Sequence, residues 1–221
     1  MSPEIKFHSY VTSVTTLIVF TLWSFALQKV QSYPALSVVI AGVFTLGIYG
    51  MVNAILLAIF RNFKWFKKFI LGATYMEGTW VGFFVGHQGK IRYLVESFDQ
   101  DLSLLKVRGR VYRDDFSYHS SHTSTDATVD IVNGKLSYSY DADAIPNTHI
   151  NAGLARFELV RNSREKPAHH IVGYSSDLFH SKKLTAFEDK ISESTSVELE
   201  QALAKAEEVY NKYHCVSGQQ T

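Results

Sequence analysis

Two hydrophobic patterns divide the chain. Val11 to Leu27, "VTSVTTLIVFTLWSFAL", runs 17 residues without a charge, and Ala35 to Phe60, "ALSVVIAGVFTLGIYGMVNAILLAIF", runs 26. A helix needs about 20 mostly apolar residues to cross a bilayer. The runs therefore predict transmembrane helices over about 10–28 and 35–60. Six of the first 17 are Ser or Thr, whose hydroxyls bond back to their own helix or across to a neighbour. A cleaved secretory signal is the alternative for the first run, and Ser24-x-Ala26 has the form of a cleavage site. Against it stand the start "MSPEIKF", which lacks a basic region, and the second span that follows a few residues on.

From Glu77 the period falls to two. Apolar positions alternate at Ile91, Tyr93 and Val95, at Leu105, Val107 and Val111, and at Ala127, Val129 and Ile131. They alternate again at Leu136, Tyr138 and Tyr140 and at Ala155, Phe157 and Leu159. Such alternation marks half-buried antiparallel strands. Turn-formers separate the runs: His87-Gln88-Gly89, Asp99-Gln100-Asp101, Asn133-Gly134 and Pro146-Asn147. Strands are expected at 78–86, 90–98, 102–113, 120–132, 135–142, 153–161, 169–179 and 183–188. About eight short strands with no intervening helix predict an all-β antiparallel up-and-down barrel, with a sandwich as the alternative. An eight-stranded barrel is filled by its own side chains or holds one small ligand.

The C-terminal stretch returns to a helical period. Leu199, Leu203, Ala206, Tyr210 and Tyr213 form one stripe of an amphipathic helix, and Thr195 with Glu198 predicts a capping box at its start. Ser217 to Thr221 reads as a frayed tail. The domain division that follows is 1–69 for the membrane region, 70–191 for the barrel and 192–221 for the helix and tail.

Charge sharpens this picture. The whole chain carries +1, which gives no bulk electrostatic case for a DNA or RNA polymer. Between Phe7 and Phe60 the one charged residue is Lys29, whereas Arg61, Lys64, Lys67 and Lys68 follow the second span directly. By the positive-inside rule both the N-terminus and the barrel are expected in the cytoplasm, with the Gln28–Pro34 turn outside. Within the second span Gly50, Ala54 and Ala58 recur every four residues. Small residues at that spacing let helices approach closely, for self-association or for packing on the first helix. Asn53 is the strongly polar side chain there and seeks a partner on another helix.

Catalytic and metal chemistry find little support. The single cysteine, Cys215, is near the end, and no glycine-rich phosphate loop follows a strand. His119 and His122 fall on opposite faces of a regular strand, as do His169 and His170, so no metal site is expected, and exposed or capped histidines are. No enzyme is expected, and no cofactor. The barrel does offer aromatic and basic strand residues, among them Trp80 and Arg92. The candidate ligand-binding residues are Tyr93, Arg108, Arg110, Tyr112, Tyr138, Tyr140 and Arg156. Bases stack on aromatic faces and arginine forks match phosphate oxygens. For Lys106, Arg108, Arg110 and Arg156, the alternative is a solvated outer face.

Two N-terminal spans with a short turn, a basic juxtamembrane segment and a barrel opening on Gly78-Thr79-Trp80-x-Gly82 resemble one family. These are the two-transmembrane, β-barrel effectors of CBASS, the bacterial anti-phage systems built on cyclic-oligonucleotide synthases. The resemblance covers essentially the whole chain and rests on the order of parts. It implies a multi-pass protein of the bacterial inner membrane that binds a cyclic dinucleotide from a partner synthase. The bound protein would self-associate through its membrane helices, where Gly50, Asn53, Ala54 and Ala58 are the candidates read from spacing and polarity, and break the membrane, an abortive infection. The alternatives are a membrane-tethered, lipocalin-like carrier of an apolar molecule and a structural subunit that binds protein. A receptor for a dianion should place Arg or Lys inside the barrel or at its mouth. A carrier should have a dry apolar cavity. For Trp80 the expectation is a core plug at one end of the barrel, with ligand contact as the alternative.

Overall fold

The structure is a computed structural model that describes residues 2–30, 34–86, 89–144, 150–177 and 183–217. The expected turns at His87-Gln88 and Pro146-Asn147, the centre of the Gln28–Pro34 turn and nearly all of the 217–221 tail lie outside these residues. The chain divides into two compact units, Met1–Leu71 and Gly72–Thr221.

The first unit holds α1 (Pro3–Val30), α2 (Pro34–Asn62) and the short α3 (Lys64–Leu71). At 1.5 Å per residue the 28 and 29 residues of α1 and α2 span roughly 42 Å each, ample for a hydrocarbon core of about 30 Å. Both are long and apolar enough to cross a membrane. They pack through Phe7, Val11 and Thr15 of α1 and Ile48, Val52 and Phe60 of α2, all buried, with the Phe7 and Phe60 rings edge to face at 6.1 Å. The hydroxyls of Ser9, Ser13 and Thr21 donate to carbonyls four residues back. Lys6 donates from Nζ to the Phe69 carbonyl and lies 4.3 Å above that ring. The start of α1 and the segment leaving α2 therefore sit at the same end of the helical hairpin.

The second unit is a closed antiparallel barrel of β1 (Gly78–Val85), β2 (Ile91–Gln100), β3 (Leu105–Arg113), β4 (Tyr118–Asp130), β5 (Lys135–Ala144), β6 (Ile150–Arg161), β7 (Ala168–Asp177) and β8 (Lys183–Ser192). Each strand pairs with the next, and β8 closes on β1. The barrel is the one expected, and the sandwich is not found. One end of the interior is an apolar floor. Trp80 stacks on Phe98 at 5.3 Å and donates from Nε1 to the Met76 carbonyl at 2.9 Å, with Leu105, Leu136 and Leu159 in the same core.

The chain ends in α4 (Leu199–Ser217), which lies on the outside of the barrel. Its buried face is Ala202, Leu203, Ala206 and Val209, packed on Val81, Phe83, Tyr93, Tyr112 and Phe187. Tyr210 meets Phe83 edge to face at 5.1 Å, and Tyr213 stacks on Phe187 at 5.6 Å. Two details of the expected helix change. Leu199 is 41% exposed, and Ala202 in its place joins the buried face. The helix also starts after Glu198, whose carbonyl accepts from Ala202 N, so Thr195 lies too far upstream to cap it.

Candidate functional site

Position along a strand decides which side chains enter the barrel. Paired residues in antiparallel strands point to the same face. Leu94 and Val111 are paired and both belong to the interior core. Two residues further toward the rim, Arg92 pairs directly with Arg113 on that same inner face. Like charges directly opposite destabilise a sheet, and neither guanidinium has an ion-pair partner among the described residues. Arg113 donates to Ser117 Oγ at 3.0 Å and to the Tyr118 carbonyl at 3.3 Å. Arg92 donates to the Ile91 carbonyl. His119, at a shift in the β3–β4 register, has a buried Nδ1 without a partner. Burial lowers its pKa, and the charges of Arg92 and Arg113 lower it further. Arg92 and Arg113 bring two positive charges to this side of the rim, and the Arg113 charge also acts on Asp115 in the turn that follows.

Deeper in, Glu96 sits one pair beyond Leu94. It is opposite Gly109 of β3, which is opposite His122 of β4. A Cβ on Gly109 would lie 2.1 Å from the His122 ring. The missing side chain is what lets His122 lie across β3 and bring Nε2 to 2.8 Å from Glu96 Oε1. The Tyr138 hydroxyl donates to the same oxygen at 3.3 Å. Glu188 of β8 reaches the same depth over Gly82, where a Cβ would lie 2.7 Å from its Cγ. Glu96 is 1% exposed and Glu188 0%. Burial pushes Glu188 well above the usual carboxyl range, helped by the charge and contact of Glu96, which favours its protonated form. Burial likewise pushes the Tyr138 hydroxyl up, with Glu96 and Glu188 adding to it. The protonated Glu188 and Glu96 are in hydrogen-bond contact with each other, and Glu96 Oε2 and both Glu188 oxygens have no other partner among the described residues.

A ladder of rings lines the wall beside the acids. His122 packs against Tyr140 at 5.4 Å, Tyr140 against Tyr138 at 6.2 Å, and Tyr138 on Phe157 at 6.1 Å. Desolvation raises the Tyr140 pKa; a hydrogen bond with Ser175 opposes that, and the charges of Asp177 and Glu96 add to it.

The structure thus separates the residues singled out from sequence. Tyr138 and Tyr140 come together inside the barrel. Tyr93 and Tyr112 are paired on the outer face, beneath α4. Arg108 and Arg110 are exposed on the outer face of β3, where Arg108 pairs with Asp99. They line a cleft of about 400 Å³ with Ser121, Thr123 and the 195–197 segment. Arg156 is exposed on the outer wall, in a separate groove of about 620 Å³ with Lys135, Tyr174 and Lys183. Gly50, Ala54 and Ala58 of α2 are exposed, and Asn53 is half-buried; α1 packs on a different face. His122 and His170 are both bonded to carboxylates, His170 through Asp189 at 2.5 Å beneath α4. Among the described residues no cluster of three or more His, Cys, Asp or Glu could hold a metal.

Sequence reasoning passed over Glu96, Glu188, Arg113, His119 and His122 as site residues, and noted Arg92 without choosing it. The available signal was parity. Glu96 alternates with Leu94 and Phe98, an apolar set as complete as Ile91, Tyr93 and Val95. No protein-family model matches the chain, and no curated protein does, so function has to be read from these side chains.

Proposed function

We propose that the protein is a membrane-anchored receptor for a cyclic dinucleotide, and that ligand binding makes it a membrane-disrupting effector of the CBASS type. The observation that carries this reading is Arg92 directly across from Arg113 on the barrel's inner face. Two guanidinium forks placed directly opposite each other repel in the absence of an anion and are well suited to two phosphates. Below it, the His122–Tyr140–Tyr138 ladder supplies flat faces for bases. The interior counts against a carrier of apolar molecules, because such a ligand would meet the buried carboxyls of Glu96 and Glu188.

The basic residues after α2 favour the barrel in the cytoplasm of a bacterial cell, where a partner synthase would release the ligand. The exposed Gly50, Ala54 and Ala58 face of α2 offers the close helix contact that self-association needs. The ligand converts one chain into several, and the gathered helices break the inner membrane.

The test is leakage. Full-length protein is reconstituted in dye-loaded vesicles, and cyclic dinucleotides are added on the barrel side. Release triggered by at least one of them is expected. Vesicles that stay sealed with every ligand, while the protein binds one, would remove the effector half of the proposal.

A further inference from the structure

The outer wall of β6 has no role yet. Leu154, Arg156, Glu158 and Val160 follow one another along it, all exposed, and α4 packs on β1, β2 and β8 instead. A groove of about 620 Å³ lies beside this row. At its floor β7 comes close to β6: a Cβ on Gly173 would lie 2.0 Å from the Arg156 carbonyl oxygen. Arg156 and Tyr174 are paired there, and Lys183 lies 4.5 Å over the Tyr174 ring. Two cations thus stand beside one ring, and neither forms an ion pair among the described residues. The third cation, Lys135, faces Glu158 on one side and Asp130 on the other, and Glu158 is the one acid that lines the groove. Arg156 and Lys183 are therefore the charges open to a ligand. Two exposed apolar side chains share the wall with them, Leu154 at 44% and Val160 at 39%.

We propose that this groove seats the phosphate of an anionic phospholipid, with Arg156 and Lys183 on the phosphate oxygens and Leu154 and Val160 against the lipid. The inference rests on the two apolar helices crossing a bilayer and is independent of any nucleotide ligand. A guanidinium fork matches phosphate oxygens, and the lysine adds a second charge beside it. Free phosphate would leave Leu154 and Val160 in water. A lipid surface takes both, since basic side chains and exposed apolar ones act together at membrane interfaces. The helices of the same chain also bring the lipid within reach. A tethered barrel meets it at high effective concentration, so a contact too weak to recruit a soluble protein is enough. The barrel is then held to the membrane by its own wall as well as by its tether.

The test is native mass spectrometry of the full-length chain in a maltoside detergent, which has no phosphate of its own, titrated with phosphatidylglycerol or phosphatidylcholine. Tighter binding of phosphatidylglycerol is expected. Arg156→Gln and Lys183→Gln should each weaken it about fivefold, the usual effect of one basic residue at an anionic leaflet. Both variants should melt with the parent, because neither side chain has an ion pair to lose. Leu154→Ser, which keeps both charges, should weaken the lipid as well. The basic segment after α2 also attracts such lipids, and lipid held there would survive all three substitutions. Unchanged phosphatidylglycerol binding in both charge variants therefore overturns the inference. A parent with no preference for phosphatidylglycerol overturns it too. If that parent forms dimers that Arg156→Gln removes, the occupant is a second copy, whose Asp126, Asp141 and Asp143 are exposed on β4 and β5.

Discussion

The His122 imidazole crosses the bare Cα of Gly109 to reach Glu96, 2.8 Å away. Three strands meet in that one row, and the middle one contributes only backbone. A methyl group at position 109 would stand 2.1 Å from the ring. Gly109→Ala should therefore swing His122 out of the barrel core and destabilise the protein by about 1–3 kcal/mol, the usual range for overpacking. Urea denaturation gives the energy, and the histidine's nitrogen chemical shifts report the lost bond. A variant as stable as the parent, with those shifts unchanged, would show that the row is not tight.

Glu188 makes stability depend on pH in an unusual direction. Its pKa is raised well above 4.5 in the folded protein. The folded state then holds a proton that the unfolded state loses near the ordinary value of about 4.3. The contribution of this proton is fully present below that value and is lost as pH rises through the folded pKa. Glu188→Gln mimics the neutral acid and cannot ionise. The variant should gain stability relative to the parent as pH climbs from 5 to 9, measured by paired urea titrations. A constant difference across that range would mean Glu188 is already ionised in the fold.

Asp189 works the other way, at the seam between the barrel and α4. Burial alone would raise its pKa, but the hydrogen bond and charge of His170, with Lys212, hold it below the usual value. Lys212 lies 3.2 Å away, and Tyr213 stacks on His170 at 4.7 Å. Stability from Asp189 is present above the unfolded pKa of about 3.9 and is lost as pH falls through the lower folded value. Asp189→Asn should cost about 1–2 kcal/mol near neutrality, the exposed lysine adding little. Hydrogen exchange should show α4 opening first. Unchanged protection in α4 would place the energy elsewhere.

These sites also show what the sequence made legible. Alternation and turn residues made β2 to β6 visible, because each has at least one apolar face. The inner face was correctly legible in β3, β5 and β6, whose opposite faces are polar: Leu105 and Val107 against Lys106 and Arg108, Phe157 against Arg156 and Glu158. It was not legible in β2. There α4 covers the outside, so Tyr93 is buried and Ile91 and Val95 are partly buried in the cluster with the helix, while Leu94 and Phe98 are buried within the barrel. A strand buried on both faces carries no parity signal, and choosing the wrong face hid Arg92 and Glu96 together. Glu188 could not have been found by pattern, since a neutral buried acid looks like a surface one until its neighbours are known.

The α2 face has its own test. A Cβ added at Gly50 would meet nothing within 4 Å, so Gly50→Leu combined with Ala54→Leu should leave the α1–α2 hairpin intact. It should abolish ligand-triggered leakage while ligand affinity stays the same. Full leakage by this variant would assign the stripe to lipid contact alone.

Receptor function at the rim is tested most directly by calorimetry on the full-length chain with a panel of cyclic dinucleotides, comparing the parent with Arg92→Ala/Arg113→Ala. At least one ligand should bind the parent, and the double variant should stay folded and lose that binding. A folded parent that binds no member of the panel, or a double variant that binds as tightly as the parent, would contradict the account.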